Sequence, residues 1–109
     1  MPTAITGYHA HVYYDPASRD RAARVRQGLE QFSVRLGRWH DVPVGPHPQA
    51  MYQVAFLPEE FPRVVPWLML NRQGLHVLVH PETGDEVTDH TDYAMWLGEK
   101  LELDVAKLG

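Results

Sequence analysis

The chain has 109 residues, 44% of them hydrophobic, which suits a single hydrophobic core and a single domain over residues 1–109. Ten Lys+Arg against fourteen Asp+Glu give a formal net charge of -4 with no basic run, so the electrostatic footprint of a nucleic-acid binder is missing. With no cysteine, disulfides, thiolate nucleophiles and sulfur-ligated metal sites are excluded, and no apolar run approaches the roughly 18 residues of a membrane span; the expectation is a cytoplasmic protein without a membrane partner. Seven histidines in so short a chain are the anomaly, because imidazole titrates near neutral pH and is the commonest metal ligand.

Residues 8–14 alternate, predicting a first strand with Tyr8, Ala10, Val12 and Tyr14 on one face and His9, His11 and Tyr13 on the other. Asp15-Pro16 reads as a helix start, and Ala22, Val25, Leu29, Phe32 and Leu36 recur at steps of three and four, predicting an amphipathic helix that stops at Gly37. Arg19, Arg21, Arg24, Arg26 and Arg35 fall mostly off that stripe and read as its solvated face. A short strand over 38–42 leads to a rigid loop over 43–48, where three prolines fix φ. The third strand, 51–57, puts Tyr52, Val54 and Phe56 opposite Met51, Gln53 and Ala55.

Pro58 opens a second helix with Phe61, Val64, Val65 and Leu68 as its core face. An interior proline removes a helix hydrogen bond, so Pro66 requires a late start near Phe61 or a kink. The fourth strand, 75–80, sets Leu75, Val77 and Val79 against His76, Leu78 and His80, and a turn follows over 81–85. A short helix is expected over 93–97 behind Thr91 or Asp92, with Leu101, Leu103 and Val105 alternating as a fifth strand. The order β-α-β-β-α-β is the ferredoxin-like α+β arrangement: an antiparallel sheet with two helices on one face, here with a short C-terminal helix and strand extension. Its second face is left open for a second subunit or a ligand floor, and an uncovered sheet in so small a domain favours a homodimer.

In that topology the fourth strand lies antiparallel to the first, so His80 approaches His9 and His11. Imidazoles at i and i+2 on a strand are roughly 6.5 Å apart at their Cβ atoms, close enough to share one ion bound at about 2.0–2.1 Å. His47, between Pro46 and Pro48, enters near the other end of the first strand. His9, His11 and His80 are therefore the metal candidates, and whether His47 reaches the same ion depends on how its loop folds over the sheet, while His90 sits before a helix, where capping explains it equally well. Tyr13 and Tyr52 are candidates to line a pocket. His40 and His76 read as surface residues, and the three tryptophans as packing. There is no Gly-rich phosphate loop and no serine or cysteine nucleophile constellation.

The combination of His9-Ala-His11-Val-Tyr-Tyr14, Gly45-Pro-His-Pro48 leading into Tyr52-Gln-Val-Ala-Phe56, Leu78-Val-His80-Pro-Glu-Thr-Gly84 and Asp89-His90 resembles the DOPA 4,5-dioxygenase family. The likeness runs from about residue 8 to 97 and includes Pro66-Trp-Leu-Met-Leu-Asn71. It implies a non-haem iron(II) enzyme, with zinc or another divalent metal able to replace iron, that opens catechol rings such as DOPA with O₂. Extradiol chemistry usually uses two histidines and one carboxylate, yet no Glu or Asp falls on the expected open face; Asp15, Asp41, Glu82, Asp85 and Asp89 lie in loops or at element ends. The expectation is three histidine ligands drawn from His9, His11, His47 and His80. The fourth, or His90, then carries protons, with Tyr13 a second acid-base candidate and Tyr13, Tyr52 and Gln53 against the substrate. Two rival readings remain: cofactor-free or differently metallated chemistry on a small aromatic, and a metal-binding, ligand-binding or dimerising module without turnover.

Overall fold

Residues 3–108 are described in a computed structural model. The strands are β1 (Gly7–Tyr13), β2 (Arg35–Leu36), β3 (Met51–Phe56), β4 (Val77–Glu82) and β5 (Met95–Leu97), and the helices α1 (Arg19–Leu29), α2 (Phe61–Asn71) and α3 (Glu86–His90). The strands form one antiparallel sheet in the order β2-β3-β1-β4-β5. With α1 and α2 on one face, this is the expected ferredoxin-like α+β fold.

The helix-covered face follows from strand alternation. Ala10, Val12 and Tyr14, Tyr52, Val54 and Phe56, and Val77 and Val79 point the same way and bury against Ala22, Val25 and Leu29 of α1 and Val64, Val65 and Leu68 of α2. Each fully buried aliphatic side chain contributes about 1.5–3 kcal/mol of transfer free energy. Gly28 lets the helices close, because a Cβ there would lie 2.3 Å from the Trp67 ring.

The first helix is shorter than the apolar period implied. It ends at Leu29 rather than Gly37, and Phe32 and Leu36 reach the same core from a turn and from β2. It also starts late: Asp15 accepts from the Ser18 amide at 2.8 Å, closing a turn, and Ser18 occupies the N-cap position. Arg35 therefore stands on a strand and not on a helix face. The second strand is Arg35–Leu36, and of the expected 38–42 stretch His40 alone bridges to Met51. A 3₁₀ turn at Pro58–Glu60 gives α2 its late start at Phe61, with Pro66 on the exposed side.

The third correction concerns the end of the chain. Residues 95–97 are strand β5, paired with Val77–Val79, where a helix was expected, and the expected fifth strand is an irregular segment ending in a 3₁₀ turn at Val105–Lys107. Leu101 and Leu103 pack with Ala94 and Trp96 onto Tyr13, Met51 and Leu78. Their alternation records which side chains touch the sheet, not strand pairing. The second face thus carries a partial cover made by the chain itself. No helix among the described residues is long and apolar enough to cross a membrane.

A candidate metal centre on the second face

Register places the histidines. His9 pairs with His80 across β1 and β4, and His11 pairs with Leu78, so His9, His11 and His80 share the face away from α1 and α2. One ring nitrogen from each lies within 4.8 Å of the others. His11 Nε2 and His80 Nε2 are 3.1 Å apart, a spacing compatible with two nitrogens each about 2.0–2.1 Å from one ion. His11 and His80 are 3% and 1% exposed, whereas the His9 side chain keeps 26% and opens the cluster to solvent.

The outer nitrogens are held by acceptors. His80 Nδ1 lies 3.0 Å from the Pro81 carbonyl, which can only accept, so Nδ1 carries the proton and Nε2 a lone pair. His9 Nδ1 lies 2.9 Å from Glu82 Oε1, the carboxylate–imidazole arrangement that orients metal-binding histidines. His11 Nδ1 is buried without a hydrogen-bond partner, a cost of about 1–3 kcal/mol.

Desolvation keeps these rings neutral. Burial, reinforced by the surrounding histidines, holds His11 well below the usual imidazole range, and burial brings His80 and His47 down to about 4. Burial lowers His9 and raises Glu82, the latter helped by Glu86 and Asp89, so desolvation outweighs the attraction between the two partners. Neutral imidazole is the ligating form. Three neutral nitrogen donors converging within 4.8 Å, two of them with their outer nitrogens held by acceptors, fit a divalent ion.

Two more imidazoles border the cluster. The His47 ring lies 4.3 Å from that of His11, and His47 Nδ1 shares a 2.7 Å hydrogen bond with the Tyr13 hydroxyl, whose pKa is raised by burial. The His90 ring lies 4.0 Å from that of His80, and its Nδ1 donates to the Glu86 carbonyl at 2.8 Å, leaving Nε2 as an acceptor. Trp96 stacks on Tyr13 at 5.8 Å and, with Leu101 and Leu103, shields this side from water.

Some expected site residues fall elsewhere. Tyr52 is on the helix side, fully buried, its hydroxyl donating to the Ala22 carbonyl at 2.8 Å, so it cannot line a pocket on the histidine face. Its own alternation with Val54 and Phe56 carried that information. Gln53 does face the histidines, paired with His11. His47 adjoins the three-nitrogen group with Nδ1 committed to Tyr13. Glu82, expected in a loop or at an element end, stands at the end of β4 beside His9. It follows His80 by two residues and so shares its face, but Pro81 between them reads as a turn. Here β4 continues through Pro81 to Glu82, tolerated because β5 pairs only with Val77–Val79 and leaves that edge free.

A small α+β domain that gathers three histidines on one sheet face carries the donor set of a candidate metal centre. The model of the Dopa 4,5-dioxygenase family matches residues 8–107, and the chain belongs to that family. It is 32% identical over 118 residues to a DOPA 4,5-dioxygenase of Amanita muscaria, covering 99% of this chain and 52% of that one. It is 38% identical over 112 residues to an uncharacterized 21.2 kDa protein of Botryotinia fuckeliana, covering 91% of this chain and 61% of the other. The chain thus spans between half and two thirds of these curated relatives' length. A crystal structure from Nostoc punctiforme, described as a "putative dioxygenase", shares 66% identity and superposes with a TM-score of 0.94, covering 95% of this chain and 91% of that one.

Proposed function

We propose that the protein is an iron(II)-dependent dioxygenase that opens the ring of DOPA or a related catechol at an extradiol bond. The observation that carries this reading is the convergence of one nitrogen each from His9, His11 and His80 within 4.8 Å on a shielded sheet face, in a chain of the Dopa 4,5-dioxygenase family. His9, His11 and His80 hold the metal, and Glu82 orients His9 from behind. Held by these three histidines, iron(II) would supply the open coordination positions that catechol and O₂ chemistry needs.

The remaining residues handle protons and water. His90 Nε2 carries a lone pair beside His80 and accepts a catechol proton. His47, hydrogen-bonded to Tyr13, is the second proton carrier, next to His11. Trp96, Leu101 and Leu103 keep bulk water from the buried side of the cluster.

The test is anaerobic loading with iron(II), then addition of DOPA and simple catechols in air while O₂ uptake and the visible spectrum are recorded. Oxygen consumption with a yellow ring-opened product is expected, and His11→Ala should lose both stoichiometric iron and turnover. Full iron content and activity in His11→Ala would remove His11 from the centre. Iron binding with no oxygen uptake on any catechol would leave a metal-binding domain without this activity.

A further inference from the structure

One row of side chains crosses four strands. Arg35 of β2 pairs with Ala55 of β3, Ala55 with His9 of β1, and His9 with His80 of β4. Directly opposed residues share a face, so Arg35 stands on the histidine face with only the Ala55 methyl between it and His9. A cavity of about 490 Å³ opens over this row, lined by Ser33, Arg35, Ala55, His9 and Glu82 among others.

This cavity is a solvent approach to the cluster, because His9, its most exposed ring, lines it. A second cavity, of about 470 Å³, is bordered by His80, but His80 is only 1% exposed, and a third, of about 500 Å³, reaches His90 beside Trp96, where His90 is only 6% exposed and is outside the three-nitrogen group. Within the first cavity Glu82 is tied to His9 at 2.9 Å. Arg35 is exposed and forms no salt bridge among the described residues. It is the cavity's one cation without a carboxylate.

Resting on the catechol-dioxygenase reading, the geometry points to Arg35 as a specificity-determining residue that holds a carboxylate on the substrate's side chain while the catechol oxygens face the histidines. Arg35 and His9 are two strands apart, about 10 Å between backbones. A catechol ring with a two-carbon acid arm spans such a distance. The planar guanidinium fork takes a carboxylate through two parallel hydrogen bonds, which a lysine ammonium cannot reproduce. Ala55 matters by being small, since a larger side chain would fill the path between Arg35 and His9. The preferred class is therefore catechols with a short acidic side chain over neutral alkylcatechols.

The test uses the protein loaded with zinc(II), a metal without redox chemistry, and calorimetric titration with 3,4-dihydroxyphenylpropionate, 4-ethylcatechol and 3-phenylpropionate. The dihydroxy acid should bind about tenfold more tightly than 4-ethylcatechol. That ratio should fall to about one in Arg35→Gln and lie between in Arg35→Lys, each variant being checked for native circular dichroism. Equal affinities in the unaltered protein, or a preference that survives Arg35→Gln, overturn the assignment. Arg35-dependent binding of 3-phenylpropionate with no binding of 4-ethylcatechol would uphold the carboxylate site and sink the catechol reading; failure of all three ligands to bind would sink both.

Discussion

On the helix side of the sheet, Ala10 and Val12 of β1 meet Val25, Val64 and Leu68, and the one phenol drawn in, that of Tyr52, donates to the Ala22 carbonyl. On the other side the intervening residues of the same strand, His9, His11 and Tyr13, meet His80, His47 and Trp96, and His11 Nδ1 is buried with no partner at all. The first surface is complete in itself; the second concentrates uncharged nitrogen donors under a thin cover. The two faces share one backbone. Changes to the first should register as stability, and changes to the second as metal and ligand binding.

The largest separation should come from Leu68, a fully buried side chain of α2. Leu68→Ala should cost about 2–5 kcal/mol in chemical denaturation while the folded fraction still binds metal one to one. A matching loss of metal from protein shown to be folded would mean the two faces are not separable.

Acid should expose the second face. The folded metal-free protein keeps His47 and His80 neutral down to a pH of about 4, while the unfolded chain protonates them near 6.5. The unfolded state therefore binds more protons between those values. The stability these groups contribute is present above pH 6.5 and is lost as pH falls toward 4, on the order of a few kcal/mol in total. Denaturation midpoints of the metal-free protein at several pH values give the slope, and a flat profile through that window would contradict the burial assigned to these rings.

The smallest of these effects belongs to Glu82. Glu82→Gln keeps an acceptor for His9 Nδ1 but removes the charge, and metal affinity should drop by roughly 10–100-fold with little change in stability. Competition with a chelator reads this directly. An unchanged affinity would reduce the 2.9 Å contact to a surface hydrogen bond.

Much of the architecture is legible in the chain. Strict alternation over 8–14 and 51–57 sorts β1 and β3 into a core face and a polar face, and the three- and four-residue steps of α2 survive its prolines. Legibility fails where a local signal serves two masters. The stripe that runs past Leu29 to Leu36 continues because a turn and a strand edge face the same core, and Leu101 and Leu103 alternate against the sheet without pairing in it. Tyr52, a pocket candidate by residue type, belongs to the core by its strand phase with Val54 and Phe56.

By itself, then, the sequence determined the fold class, the pairing of His9 with His11 and the approach of His80, because period-two alternation and strand order are local or topological properties. Tertiary structure alone decided the register that sets His80 directly opposite His9, the extension of β4 through Pro81 that delivers Glu82, the cover formed by residues 94–103, and the row that carries Arg35 toward the histidines. Each of these depends on which residues lie across from one another on neighbouring strands, and that correspondence is settled only when the whole sheet closes on its core.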